Sequence, residues 1–356
     1  MTRRENYLRA LLFQGPEYIP VVYSILPPNY FLTDPEELFY IRERHPALFP
    51  GFVRPASTEA YLERMRAALP PESADAGGRY VDDFGCVWTG AKGGFNGTVT
   101  GHPLADWDDF KNYRLPDPER SMGLEPIDWE EERRRMAKRK AEGHLTNGAL
   151  RHGHTFLQLT DLCGYENLTY LMADEEPELE TLIARLEEFN CAIIQKYLDM
   201  DVDLISIPED LGMQTGPMIS PTNFRKYILP SYQRMIGMVR AAGKPVHMHS
   251  DGDIRTLAND IIEAGCQALN LQDLVNGIDW IAENVKGRVC IDLDVDRQNV
   301  TVFGSPKDVD DLIREEVEKL NTPAGGLMLT YGYYAGTPVE NADAVAAALE
   351  KYALHL

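Results

Sequence analysis

The stretch "GKPVHMHSDGDIRTLANDIIEAGCQALNLQD", Gly243 to Asp273, decides the fold. A short β-prone run, "PVHMH" (245–249), passes through polar text into a helical "IRTLANDIIEAG", which Gly265 closes before a second β-prone run, "ALNL" (268–271). Strands separated by a helix are joined by a crossover and so lie parallel. The same unit recurs around "LISIP" (204–208), "VCIDL" (289–293) and "LMLT" (327–330). The helical texts between them, "SPTNFRKYILPSYQRMIGMVRAAG" and "SPKDVDDLIREEVEKL" among them, are entered through Ser-Pro, which caps and starts a helix. From about Asp128 the chain is a βα repeat, which predicts an α/β protein with a parallel sheet or barrel.

The text before it reads differently. A short amphipathic helix (5–13) is followed by Pro- and aromatic-rich sequence, a helical "STEAYLERMRAAL", and "YVDDFGCVWTGAKGGFNGTVTGHPLADWDDFKNYRLPDPE". Gly, Asp and Pro between short aromatic runs predict hairpins and loops. The expectation is one domain over 1–356, with 1–125 an irregular N-terminal cap and 126–356 the regular βα portion.

Composition limits the partners. With 356 residues and 44% hydrophobic content the chain can bury a large core. Its 56 acidic against 35 basic residues give a formal charge of -21, a field that repels nucleic acid and anionic membranes. Five scattered cysteines without a CxxC pair read as reduced thiols. No segment approaches a signal peptide or a membrane span, so a cytoplasmic protein is expected.

In parallel α/β folds the functional face lies at the carboxyl ends of the strands. Polar residues stand just past five of those ends: Glu209 and Asp210; His249 and Asp251; Gln272 and Asp273; Asp292, Asp294 and Asp296; Tyr331, Tyr333 and Tyr334. Strand alternation puts His247 and His249 on one face, with Asp251 in phase. His249 and Asp251 are the natural pair for a divalent metal, since imidazole and carboxylate both serve zinc. His247, one layer deeper, reads as a supporting or packed residue. The competing reading has Asp251 cap the helix that starts near Ile254, with Ser250 and Gly252 forming a turn and no metal present. Of the adjacent carboxylates, Glu209 is the expected catalytic acid if burial raises its pKa, and Asp210 a substrate contact. One of the two is expected to bond backbone N–H groups instead. Tyr333 and Tyr334 read as the wall of an aromatic pocket, and Tyr331 as a ligand or hydrogen-bond donor to a reacting oxygen. Asp294 has at most an orienting role.

Taken in order, "MTRRENYLRALLFQGPEYIPV", "DDFGCVW", "GHPLADWDDFKNYRLPDP", "LCGYENLTYLMADEEPELETLI", "PEDLGMQTGPMISPTNFRKYILP", "HSDGDI", "DVDRQNVTVFGSPKDV" and "TPVENADAV" resemble the uroporphyrinogen decarboxylase superfamily, in its corrinoid-dependent methyltransferase branch. The resemblance runs nearly end to end and implies a (β/α)8 TIM-like barrel, often dimeric. Uroporphyrinogen decarboxylases bind their substrate's carboxylates with an Arg- and Gly-rich segment; here the equivalent "PVVYSILPPNYF" has no basic residue, which disfavours that substrate. The zinc methyltransferases of the superfamily use a His-x-Cys pair and a later Cys. On that alignment His249 matches the histidine, Asp251 stands at the first cysteine, and Tyr331 falls near the second. Asp273 is the analogue of an acidic ligand in the more distant cobalamin-independent methionine synthases. Oxygen donors in place of thiolates make a harder site, better matched to an oxygen-bound methyl group than to a thiol. The implied activity is transfer of a methyl group from a small methylated compound, such as a methoxylated aromatic, to a corrinoid carried by a partner protein. A cofactor-independent decarboxylase of a small acid and a non-catalytic ligand-binding barrel are the alternatives.

Overall fold

The computed structural model describes residues 1–67, 69, 78–90 and 97–355. Seven parallel strands form its main sheet: β1 (Val21–Ser24), β2 (Asn147–Ala149), β3 (Leu204–Pro208), β4 (Val246–Ser250), β5 (Ala268–Gln272), β6 (Cys290–Asp294) and β7 (Leu327–Gly332). They lie in the order β1-β7-β6-β5-β4-β3-β2, so neighbours in sequence are neighbours in space from β2 to β7 and β1 then pairs with β7. This is the strand succession of a (β/α)8 barrel, with β1 and β2 as its two edges and no hydrogen-bonded strand between them among the described residues.

Helices cover the outside. The ones that matter for the site are α1 (Arg3–Leu11), α2 (Phe156–Cys163), α3 (Pro177–Asp199), α4 (Leu229–Ala241), α5 (Pro306–Leu320) and α6 (Val339–Tyr352). The α5 helix starts where its sequence says it should. Ser305 and Asp308 form a capping box ahead of Pro306, and the buried Val309, Leu312, Ile313, Glu316 and Leu320 trace one face at helical spacing. Before α4, residues Phe224–Ile228 wind as a π-helix turn just ahead of Pro230, whose missing N–H interrupts the regular α ladder.

The sheet has two distinct faces. Ile205, Ile207, Val246, Met248, Leu269, Leu271, Ile291, Leu293, Leu327 and Leu329 are buried toward the helices. The inward face is layered. At its base Leu204, Ala268, Cys290 and Met328 pack with Ala10 and Leu11 of α1, which closes the amino-terminal end of the barrel. The next layer is polar: His247 Nε2 lies 2.8 Å from Asp292 Oδ2, and Thr330 Oγ1 donates to Asp292 Oδ1 at 2.8 Å. Above it stand His249, Gln272 and Asp294, at the carboxyl ends of β4, β5 and β6.

The segment read as a cap is less separate than expected. It contributes β1 to the barrel and α1 to its base. The predicted hairpins are present as a three-stranded antiparallel sheet, Arg79–Val81, Val87–Thr89 and Thr98–Gly101. Residues 91–96 of that text and Ala68, near the end of the helical "STEAYLERMRAAL", lie outside the described residues. No described helix is long and apolar enough to cross a membrane.

Candidate active site

Asp210 is at the centre of the mouth. It follows β3 in the inward phase of Leu204, Ser206 and Pro208, and its Oδ1 lies 3.3 Å from His249 Nε2 and 3.3 Å from His152 Nε2. The backbone N–H of Asp251 donates to the same oxygen at 3.0 Å. His152, just beyond β2, tilts toward His249 with ring centroids 5.5 Å apart. One ligand atom from each of His152, Asp210 and His249 lies within 4.8 Å of the other two.

The tautomer of His249 is fixed from behind. Asn270 Nδ2 donates to the Asp292 carbonyl at 2.7 Å, so Asn270 Oδ1 is an acceptor, and the group it accepts from is His249 Nδ1. A neutral His249 therefore turns its Nε2 lone pair toward Asp210 and His152, the state a metal ligand needs. In the chain by itself the neighbouring carboxylates favour a proton on that nitrogen. Burial works to raise the Asp210 carboxyl, but hydrogen bonds from His152 and His249 outweigh it and hold Asp210 far below the usual range. Burial likewise opposes charge on His249, yet Asp210, Asp251 and Asn270 push the imidazole up to about 9. A cation here would replace those protons, because imidazole ligates in its neutral form.

Asp251 stands beside this cluster and is not one of its three members. Its Oδ1 is 3.8 Å from His249 Nε2, and both its oxygens accept from Arg297 Nη2, at 3.0 and 2.9 Å. Arg297 Nη1 is also 2.8 Å from Asp294 Oδ2, an ion pair whose angles do not make a hydrogen bond, and the guanidinium lies 5.1 Å from the Tyr334 ring centroid. Tyr334, expected in a pocket wall, thus stands at the rim beside Arg297.

Four expected residues go elsewhere. Glu209 points out of the barrel: its carboxylate accepts from the backbone N–H groups of Thr155, Phe156 and Leu157 at the start of α2, and from the Tyr232 hydroxyl at 2.9 Å. Burial pushes it up to about 7, against those hydrogen bonds, but every oxygen is committed to the helix end, so the expected catalytic acid is a cap. Tyr331 also faces outward, edge-on to Tyr23 at 4.9 Å, because the inward phase of β7 falls on Thr330 and Gly332. Asp273, expected as a metal ligand, accepts from the N–H of Leu274 at 2.5 Å and Asp296 at 2.8 Å and faces the buried Glu316 of α5. Tyr333 is tied to the N-terminal segment, with its hydroxyl 3.2 Å from Thr33 Oγ1, rather than lining the mouth. His247 supports from below through Asp292.

The uroporphyrinogen decarboxylase family profile matches residues 84–352, a span that holds every residue of this cluster. The chain belongs to the uroporphyrinogen decarboxylase family. Among curated members, uroporphyrinogen decarboxylases from two strains of Thermus thermophilus are 28% and 27% identical over 188 residues. That match covers 51% of this chain and 51% of each relative, so the chain aligns with about half the length of the family members it matches. Among solved structures, a methyltransferase from Methanosarcina mazei superposes over 99% of both chains with a TM-score of 0.65 at 17% identity, which establishes a shared fold. His152 was not among the residues expected at the mouth. The β2 strand that carries it is only three residues long, "NGA", with no apolar run to mark a strand end. The one available signal was a pair of histidines in "RHGH", at the distance upstream of "LISIP" that another βα unit would need.

Proposed function

We propose that this member of the uroporphyrinogen decarboxylase family is a metal-dependent methyltransferase that moves a methyl group from a small methoxylated aromatic to a corrinoid carried by a partner protein. The observation that carries the reading is the convergence of His152, Asp210 and His249, with the His249 lone pair set by Asn270, at the open end of the barrel. Two imidazoles and a carboxylate are an acceptable donor set for zinc or another divalent metal, and three protein ligands leave a position for substrate.

A cation bound there would supply Lewis acidity toward the ether oxygen of the donor. The chain's own residues do the rest. Asn270 and Asp292 hold His249 and His247 in place from beneath. Arg297, clamped by Asp251, presents its guanidinium beside Tyr334, whose ring offers a face for an aromatic substrate. The family match also keeps a second reading, decarboxylation of a small acid. Against it, an anionic substrate entering the mouth would meet the carboxyl groups of Asp210 and Asp251, and Arg297 beside them is already paired. The test is incubation of purified protein with methoxylated aromatics and added cob(I)alamin. The expected result is methylcobalamin with loss of the methoxy group. Release of carbon dioxide from a panel of carboxylic acids, without methyl transfer, would replace this reading by the second.

A further inference from the structure

We propose that Asp294 is the acid that protonates the oxygen from which the methyl group departs. The inference rests on the methyl-transfer reading and names a residue of the chain itself for the separation of the aryloxide, beside the Lewis acidity that a cation would supply.

Asp294 ends β6 in the inward phase of Cys290 and Asp292 and stands in register with Gln272 of β5 and Thr330 of β7, in the same end layer as His249. Its side chain is 4% exposed, and neither oxygen makes a hydrogen bond. A buried carboxylate with no donor pays a large desolvation penalty, so the site favours the neutral acid; burial pushes Asp294 up to about 7 even against Arg297. Arg297 Nη1, 2.8 Å away, then stabilises the anion left when the proton goes. Both states of the acid are thus supported, the neutral one by burial and the charged one by the ion pair.

The other carboxyls near the mouth are committed. Asp210 is held ionised between two imidazoles, Asp251 gives both oxygens to Arg297, Glu209 caps α2, and Asp273 is turned to Asp296 and Glu316. Arg297 lies beside Asp294 and against the Tyr334 ring, so an aromatic entering at Tyr334 meets the Asp294–Arg297 pair in place.

The methyl carbon bonds to the reduced corrinoid nucleophile as its bond to oxygen breaks, and the electron pair of that bond stays on oxygen. Asp294 gives its proton to that oxygen, a hydroxyl product leaves, and the Asp294 carboxylate remains against Arg297 until solvent returns a proton.

General acid assistance matters most for a poor leaving group, which makes the test specific. Methyl transfer to cob(I)alamin is measured from methoxybenzene and from 4-nitromethoxybenzene, whose aryloxide needs no proton. In the wild type the two rates should be similar. In Asp294→Asn, methoxybenzene should slow by about 10²-fold or more while the nitro compound stays near the wild-type rate. Equal slowing of both, or of neither, overturns the proposal, as does a steep preference for the nitro compound in the wild type, which needs no variant to fold. Absence of transfer from either compound overturns the methyl-transfer reading along with it. Independently of turnover, the infrared difference between wild type and variant should contain a protonated-carboxyl band at pH 6; its absence also overturns the proposal.

Discussion

One position of strand phase separates the residues that face the mouth from those that do not. Glu209 and Asp210 are adjacent, both polar and both at a strand end, so composition cannot rank them; the inward phase of β3 selects Asp210. Tyr331 fails for the same reason, standing between the inward Thr330 and Gly332. A raised pKa is equally a poor guide by itself. Glu209 and Glu316 are both raised, and both are buried away from the mouth. Glu316 lacks a hydrogen bond of good geometry and faces Asp273, with Asp296 and Glu315 adding further repulsion; burial is the largest effect on it and raises it well above the usual range, and Asp273 goes up to about 6. For acids raised on folding, the stabilisation is complete below their unfolded values, near ~4, and is lost as pH rises through the folded values. Glu316→Gln removes one ionisable partner of that pair. Its melting temperature relative to wild type should therefore climb between pH 4 and pH 8, ending above wild type. A variant that falls further behind as pH rises would contradict the pairing.

At the scale of elements, β3 to β7 were legible because each is a run of Val, Ile, Leu or Met flanked by helical text, and each lies within two residues of where the sequence puts it. The edge strands were not. β1 is four residues inside Pro-rich text, and β2 is held by Leu150 N–H bonding the Ser206 carbonyl rather than by any propensity of Asn-Gly-Ala. Without β2 there was no route to His152. The loop after β3 was also opaque. Gly212–Met213 and Gly216–Pro217 form a tight hairpin that presses on the end of β4, and Asp253 N–H bonds the Met213 carbonyl at 2.7 Å. Gly252 sits at φ +80°, and a Cβ there would lie 2.1 Å from the Gly212 carbonyl carbon. Backbone meets backbone, so nothing flexible can yield. Gly252→Ala should cost ~1–3 kcal/mol or more in urea unfolding, from the left-handed backbone and the displaced hairpin together. Stability equal to wild type would show that the hairpin does not rest on Gly252.

The whole molecule is where sequence reading went furthest. The parallel βα repeat, the functional face at the carboxyl ends and the family resemblance all concern order and spacing, which the chain displays openly, and the barrel and the family match follow them. The site was legible only in part: His249, Asp210, Asp251 and Tyr334 were named as mouth residues, whereas His152, which converges with His249 and Asp210, was not. His152 stands just past β2, the strand beside β3, and without that strand the histidine had no place in the mouth. Elemental analysis decides whether His152, Asp210 and His249 hold a metal. Protein purified without chelator should carry about one divalent metal per chain, and Asp210→Ala, folded by circular dichroism, should carry almost none. Metal-free wild-type protein that transfers methyl groups at full rate would contradict the account.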